Sequence, residues 1–242
     1  MEDLKERIQN LARIYHSEII ALRRHFHTHP ELSKQESKTA AFVSDWLERQ
    51  NIPHEKDIAG HGIVGLIKGK NPEKKCIALR GDMDALPIIE ENDLPYKSMN
   101  HGVMHACGHD AHTASLMGAA KILNEIKDQF EGTFKLFFQP SEEVYPGGAI
   151  EMINAGVLEN PSPENIIGQH VLPELEVGKV GFRPGKYMAS TDEFHIEVIG
   201  KGGHGAIPNK NIDPVLIASH IVVALQQIVS RNSFPGLPTV VS

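Results

Sequence analysis

The 242-residue chain is long enough to bury a hydrophobic core and to form one or two domains. Its formal net charge of −7, without a long basic run, argues against a nucleic-acid-binding protein. No apolar run approaches the roughly 20 residues of a membrane span, and the charged N-terminus is not a secretory signal. Two cysteines give no disulfide framework, which suits a reducing cytoplasm. We therefore expect a cytoplasmic protein and, from the lack of a membrane span, no membrane partner.

Predicted helices and strands alternate along the first 183 residues. The first helix covers residues 2–27, and the capping-box spacing of Ser33 and Glu36 predicts that a second helix opens there and ends near Gln50. The later elements are strands at 62–67, 76–80, 133–138 and 166–171 and helices at 109–127 and 147–155. This alternation predicts an α/β fold, with helices flanking a mostly parallel sheet.

The sequence changes character after about residue 183, which predicts two domains, 1–183 and 184–242. In the second we expect a strand at 193–199, a glycine-containing loop at 201–211 and a helix at 213–230. Asp213 is the predicted N-cap of that helix, with Pro214 at its first position. The chain stops in an apolar strand at 239–242, and we expect an incomplete domain because such an end has no following turn.

The run MHACGHDAH, residues 104–112, concentrates groups that bind metal ions. Cys107, His109 and His112 are good ligands for a borderline-soft divalent metal such as Zn²⁺, and Gly108 permits a tight turn between the first two. The predicted helix N-terminus at this point should favour the thiolate form of the cysteine. The alternative is a buried cysteine with histidines that only pack or cap, and a chain with 14 histidines makes metal chemistry the better interpretation.

Further acidic and imidazole groups follow other predicted strands. Ligands bind outside the carboxyl ends of strands in open α/β sheets, so these groups should meet the run at 104–112 and form a metal site. The groups are Asp82, Asp84, Glu142, Glu143 and His170. Each taken alone has a simpler interpretation, as a solvated acid or a packed histidine.

Glu142 and Glu143 can divide two tasks. Adjacent residues in a turn point in different directions, so one can bind metal while the other removes a proton from water and passes it to a leaving amine. That chemistry is amide hydrolysis. An acidic helix N-terminus is the alternative for this pair.

Six motifs together resemble the M20 metallopeptidase superfamily. The closest branch is the amidohydrolases, which include hippurate hydrolase, N-acyl-amino-acid hydrolases and plant auxin-conjugate hydrolases. The resemblance implies a zinc-peptidase-like catalytic domain and part of a smaller, ferredoxin-like α+β lid domain. The motifs are RRHFHTHPELS (23–33), RGDMDALPI (80–88), GVMHACGHDAHTA (102–114), FFQPSEE (137–143), GQHV (168–171) and GKGGHGAIP (200–208).

The resemblance also implies cofactors, residue roles and partners. It implies two divalent metal ions, Zn²⁺ or Mn²⁺ before Co²⁺ or Ni²⁺, that act on a small N-acyl amino acid. Glu142 takes the position of the general base, Asp84 that of an acid supporting the metal site, and His204 that of a lid-domain histidine. The lid domain implies a homodimer, in which this histidine reaches a partner's active site. For His204, an exposed loop position is the alternative. The implied metal ligands are Cys107, His109, Glu143 and His170.

The chain departs from the family pattern in its length. Family members return from the lid to the catalytic domain and supply a last metal-ligating histidine, which no residue here can provide. We therefore expect a C-terminally truncated amidohydrolase with an incomplete second metal site and weak or no activity. The alternatives are a di- or carboxypeptidase of the same superfamily and an inactive metal-binding fragment.

Overall fold

The computed structural model describes residues 3–185, 187, 192–236 and 239–242. These residues form two compact units, Met1–Glu174 and Leu175–Ser242. The first unit holds a sheet and most of the helices. Its helices are Leu4–Thr28 (α1), Ser37–Arg49 (α2), His109–Glu125 (α3) and Gly148–Asn154 (α4), and its strands are His54–Ile58 (β1), Gly62–Lys68 (β2), Cys76–Asp82 (β3), Thr133–Gln139 (β4) and Asn165–Gly168 (β5).

The five strands lie in the order β1-β2-β4-β3-β5. Strand β3 pairs in parallel with both β4 and β5, while β2 is antiparallel to both β1 and β4. Four strands therefore run in the same direction and only β2 runs against them. In the register of β3 and β4, Asp82 lies opposite Gln139, so the segments that follow these two strands begin side by side.

Alternating apolar residues give the sheet two buried faces. On one face, Ile63 and Phe138 pack with α1, α2 and α3, and on the other Val64 and Phe137 pack with Met152 of α4. The change of face between neighbouring residues is the period of two that a strand imposes. Helices thus cover both faces of the central strands, while all four residues of the edge strand β5 are exposed.

The second unit contains helix α5, Pro214–Gln227, which continues as a π-helical turn over Ile228–Asn232. The Asp213 carboxylate accepts hydrogen bonds from the amides of Val215 and Leu216, which confirms its predicted role as N-cap. The stretch Pro214–Asn232 is 19 residues long with a mean hydropathy of 1.3. Contrary to the expectation from the sequence, this helix is long and apolar enough to cross a membrane, by length and composition alone. Core helices of globular proteins pass the same test, and the stretch alone does not indicate a membrane protein.

Most predicted elements are confirmed, with shifted ends. The α/β class and the helices at 109–127 and 213–230 are observed, while strand β5 ends at Gly168, two residues before His170. The capping box is wrong: Glu36 is the N-cap residue and makes no side-chain capping bond. Strand β1 was not predicted, because HEKDI carries charged residues instead of an apolar alternation.

Two predicted strands in the second unit are not observed. Residues 193–199 and 239–242 have irregular backbone, since the described residues offer neither segment a partner strand. The first unit ends at Glu174, nine residues before the predicted domain boundary at 183. Residues 186, 188–191 and 237–238 of the predicted second domain lie outside the described residues, and its assignment as a lid stays a prediction.

Candidate metal centre

The candidate centre is built at the carboxyl ends of β3, β4 and β5, next to the start of α3. Cys107 and Gly108 lead into α3, whose first residue is His109. Gly108 has a φ of 90°, and a Cβ there would collide with the Val171 side chain. Glycine therefore provides both the left-handed backbone and the space that this turn needs.

Three residues on two loops and a helix place ligand atoms together. Cys107, His109 and His170 each offer one such atom, and these atoms lie within 4.8 Å of one another. The Cys107 Sγ and the His170 Nε2 are 3.4 Å apart. His109 also groups with Glu142 and Glu143, whose carboxylate oxygens lie 3.8 Å and 3.7 Å from its Nε2. The structure thus places the other three implied metal ligands, Cys107, Glu143 and His170, around the ring of His109.

The His109 ring is oriented so that one nitrogen faces this group. Its Nδ1 lies 2.9 Å from the Asp84 carbonyl oxygen, which can only accept, so Nδ1 carries the proton. Its Nε2 is buried and has no hydrogen-bond partner among the described residues, and the same is true of the Glu143 Oε1. A buried imidazole nitrogen and a buried carboxylate oxygen without partners, beside a thiol, fit a divalent metal ion.

Asp84 is buried beneath the centre and stays ionised. Its Oδ2 accepts hydrogen bonds from the Ser33 hydroxyl at 2.6 Å and from the Glu143 amide at 2.9 Å. Burial alone would raise the pKa of Asp84, but hydrogen bonds from His109, Ser33 and the amides of Glu143 and Glu142 lower this pKa to about 2. The hydroxyl expected to cap α2 therefore binds the acid beneath the centre instead.

His112 is adjacent to the centre, but both of its ring nitrogens are already hydrogen bonded. Its Nδ1 lies 2.7 Å from the Asp82 Oδ1, and its Nε2 accepts the Val171 amide at 2.9 Å. His112 was a good candidate ligand by residue type. The structure leaves it no free nitrogen for a metal ion.

Glu142 and Cys107 both have raised pKa values. Burial and the neighbouring Glu143 carboxylate raise the pKa of Glu142, whose side chain is 40% exposed and so reaches solvent. Burial and the same carboxylate raise the pKa of Cys107 to about 12. The expectation that the helix N-terminus favours the thiolate is wrong for the protein alone, because burial and nearby carboxylates outweigh it.

His204 lies in the second unit. It is exposed in a loop, where its Nδ1 accepts a hydrogen bond from the Ala206 amide at 3.0 Å. An exposed loop position is the alternative that the sequence left open for this residue.

Comparison with known proteins assigns the family. The model of "Peptidase family M20/M25/M40" matches residues 78–239, which include every predicted metal ligand. The chain belongs to this family.

Two curated relatives are similar over nearly the whole chain. An N-acyl-L-amino acid amidohydrolase of Geobacillus stearothermophilus is 45% identical over 238 residues, covering 98% of this chain and 64% of its own length. A hippurate hydrolase of Campylobacter jejuni is 46% identical over 221 residues, covering 91% and 57%. The chain thus spans between about half and two thirds of the curated relatives it matches.

A solved structure from the M20 family supports the fold. The Bacillus subtilis YXEP protein, described as a dinuclear metal binding peptidase, is 41% identical with a TM-score of 0.67. The match covers 72% of this chain and 48% of that one. The candidate ligand groups and this likeness together support a centre for divalent metal ions.

Sequence reasoning missed a buried charge network beside the M20 centre. Its residues are Arg23, His27, Glu90 and Asp110. A usable signal was the position of His27 directly after Phe26, on the buried side of an amphipathic helix, where a histidine needs polar partners.

Proposed function

We propose that this chain carries the metal-binding part of an amidohydrolase. Its substrates would be N-acyl amino acids, with an acetyl, benzoyl or similar acyl group, and its products a carboxylate and a free amino acid. The observation that supports this most directly is the placement of Glu142 and Glu143 against the same His109 nitrogen. The names of the two relatives describe hydrolysis of N-acyl amino acids and of hippurate.

The metal would be held by two nitrogen ligands, one sulfur and one oxygen. This mixed donor set suits Zn²⁺ or Mn²⁺ and also accepts Co²⁺ or Ni²⁺, with two ions in a complete site. When bound, the metal lowers the pKa of water and polarises the amide carbonyl. The proposed ligands are Cys107, His109, Glu143 and His170.

Glu142 is the proposed general base. Its pKa is raised, its side chain reaches solvent, and it lies beside the ligand cluster without being buried in it. It would take a proton from the attacking water while the new C–O bond forms. It would then deliver this proton to the amine nitrogen as the C–N bond breaks, and so return to its starting state.

Several parts of the proposal concern the protein beyond this centre. Residues 184–242 would belong to a lid domain that mediates homodimer formation. His204 would act from that domain on a partner's substrate carbonyl. Cytoplasmic location and the absence of membrane or nucleic-acid partners complete the proposal.

A second candidate is cleavage of free di- or C-terminal peptides, which the peptidase name of the family favours. Release of free amino acid from N-acetyl and N-benzoyl amino acids and from free dipeptides separates the two. Each should be measured with Zn²⁺ or Mn²⁺ added and after chelation. We expect metal-dependent hydrolysis of the acylated substrates. Hydrolysis of dipeptides alone would favour the peptidase. No metal-dependent hydrolysis would contradict both activities for this chain and would favour the inactive metal-binding fragment.

A further inference from the structure

His112 is fixed in a single tautomer by its two neighbours. The Val171 backbone amide can only donate, so the His112 Nε2, 2.9 Å away, must accept and carries no proton. The proton therefore lies on Nδ1, which donates to the Asp82 Oδ1 at 2.7 Å. The ring is buried, which strengthens both hydrogen bonds and makes the loss of either costly.

Asp82 is itself held so that one oxygen faces His112. The Arg80 Nη1 donates to the Asp82 Oδ2 at 2.5 Å, which leaves Oδ1 for the histidine. The Arg80 Nε donates to the Gln139 Oε1 at 2.8 Å, on the neighbouring strand. The Thr113 hydroxyl donates to the Asp82 carbonyl at 2.5 Å, linking β3 to α3. The carboxylate is thereby fixed by the sheet and the helix together.

Within the described part of the chain, the segment that follows β5 makes few hydrogen bonds. Strand β5 ends at Gly168, and His170 and Val171 continue beyond the ladder with exposed side chains. The His170 Nδ1 donates to the Val171 carbonyl at 2.7 Å, and its Nε2 faces the Cys107 Sγ at 3.4 Å. The His112 and His170 rings meet edge to face, with centroids 4.7 Å apart. His112 thus contacts both the backbone amide of Val171 and the ring of His170.

We propose that His112 is a positioning residue: it holds the Val171 peptide so that His170 presents its Nε2 to the metal, and Asp82 fixes the tautomer this requires. The inference rests on the proposed metal-binding role of His170. It predicts that His112 affects metal affinity although neither of its nitrogens binds the ion. Residues that orient metal ligands commonly change metal affinity by about 10–100-fold when replaced.

The first test measures Zn²⁺ affinity by competition with a chromogenic chelator, independently of activity. His112→Phe keeps an aromatic ring and removes both hydrogen bonds, so we expect at least about tenfold weaker binding. His112→Gln offers a carbonyl to the Val171 amide and should recover part of the affinity. The matched control is Thr133→Val, which removes a partly buried hydrogen bond to the Pro72 carbonyl at the start of β4 and should leave affinity unchanged.

The second test needs no substitution. Long-range ¹H–¹⁵N correlation on the metal-free chain should show a proton on the His112 Nδ1 and none on its Nε2. Protonation on Nε2, or on both nitrogens, would overturn the inference, as would a His112→Phe variant that binds Zn²⁺ as tightly as the unmodified chain. If the unmodified chain binds no metal, the proposed function fails, and the tautomer still decides whether Asp82 and Val171 hold His112 as inferred.

Discussion

Asp84 contacts three parts of the candidate centre at once. Its carboxylate accepts the Ser33 hydroxyl and the Glu143 amide, and its carbonyl accepts the His109 Nδ1. One buried residue therefore orients two proposed metal ligands and joins them to the segment before α2. Hydrogen bonds to its carboxylate lower the pKa of Asp84 to about 2, so the group is ionised at neutral pH and can accept them.

Replacing Asp84 by asparagine should weaken metal binding by about 10–100-fold. The amide puts a donor where the carboxylate accepts, so one contact to Ser33, His109 or the Glu143 amide is lost. The control Ser33→Ala removes one donor but keeps the carboxylate, and it should have the smaller effect. Equilibrium metal titration of both variants checks this, and an Asp84→Asn variant with unchanged affinity would contradict the role.

Residue type and spacing predicted which residues gather at the centre, but not how each is used. Cys107, His109 and His112 are equally good ligands on paper. The structure shows that both nitrogens of His112 are already hydrogen bonded. One contacts the carboxylate of Asp82, beside the start of α3, and the other accepts the backbone amide of Val171. Such hydrogen bonds join residues far apart in sequence, and no local pattern encodes them.

At the scale of elements, a buried ion network joins α1, α3 and the loop between β3 and α3. The His27 Nδ1 lies 2.8 Å from the Asp110 Oδ2, and its Nε2 lies 3.0 Å from the Glu90 Oε1. The Arg23 Nε binds the same Asp110 oxygen at 2.8 Å. Carboxylates at both ring nitrogens favour the doubly protonated imidazolium, and the hydrogen bond to Asp110 raises the pKa of His27.

This network predicts a pH dependence of stability. The folded-state pKa of His27 is raised above 6.5. The contribution of this charged group to the free energy of unfolding is therefore full below pH 6.5 and is lost as pH rises through the raised pKa. His27→Phe should cost about 3–5 kcal/mol near pH 6, since it leaves two buried carboxylates without their partner.

Urea unfolding from about pH 6 upward, where Asp110 and Glu90 are ionised, measures this difference. The difference in the free energy of unfolding between the unmodified chain and His27→Phe should decrease as pH rises. His27→Gln can donate a hydrogen bond but cannot carry charge, so its difference in the free energy of unfolding from the unmodified chain should decrease in the same way. If these differences in the free energy of unfolding do not change with pH, His27 is not charged in the folded protein.

Hydrophobic periodicity located the elements that build the sheet core. Strands β2, β3 and β4 carry apolar residues that a strand buries, and they were predicted within a residue or two. Strand β1 was missed because edge strands need only one partner and tolerate charged residues such as Glu55 and Lys56. The strands expected at 193–199 and 239–242 have the right pattern, but a pattern alone supplies no partner strand.

At the scale of the molecule, negative charge concentrates where the metal is proposed to bind. Asp82, Asp84, Glu142 and Glu143 surround one end of the sheet in a chain of net charge −7, and Arg80 is a nearby positive partner. A bound cation would relieve repulsion among these carboxylates. It would also stabilise the folded state, because the ligands are brought together only by folding.

Chelation should therefore lower the melting temperature. At a metal concentration about 100 times the dissociation constant, binding contributes about 2.7 kcal/mol. For a chain of this size that corresponds to roughly 5–10 °C. Thermal unfolding with excess chelator, and then with Zn²⁺ or Mn²⁺ restored, measures the shift, and Mg²⁺ serves as a hard-cation control. Equal melting temperatures with and without Zn²⁺ or Mn²⁺ would contradict a preformed centre.

The division of work between Glu142 and Glu143 is the central claim, and one paired measurement tests it most directly. Metal content and hydrolysis of an N-acetyl amino acid should be measured on the unmodified chain, on Glu142→Gln and on Glu143→Gln. We expect Glu142→Gln to keep its metal and lose turnover by at least about a hundredfold, because it removes only the base. Glu143→Gln should lose metal and turnover together. A Glu142→Gln variant that loses its metal but still hydrolyses the substrate would contradict the account.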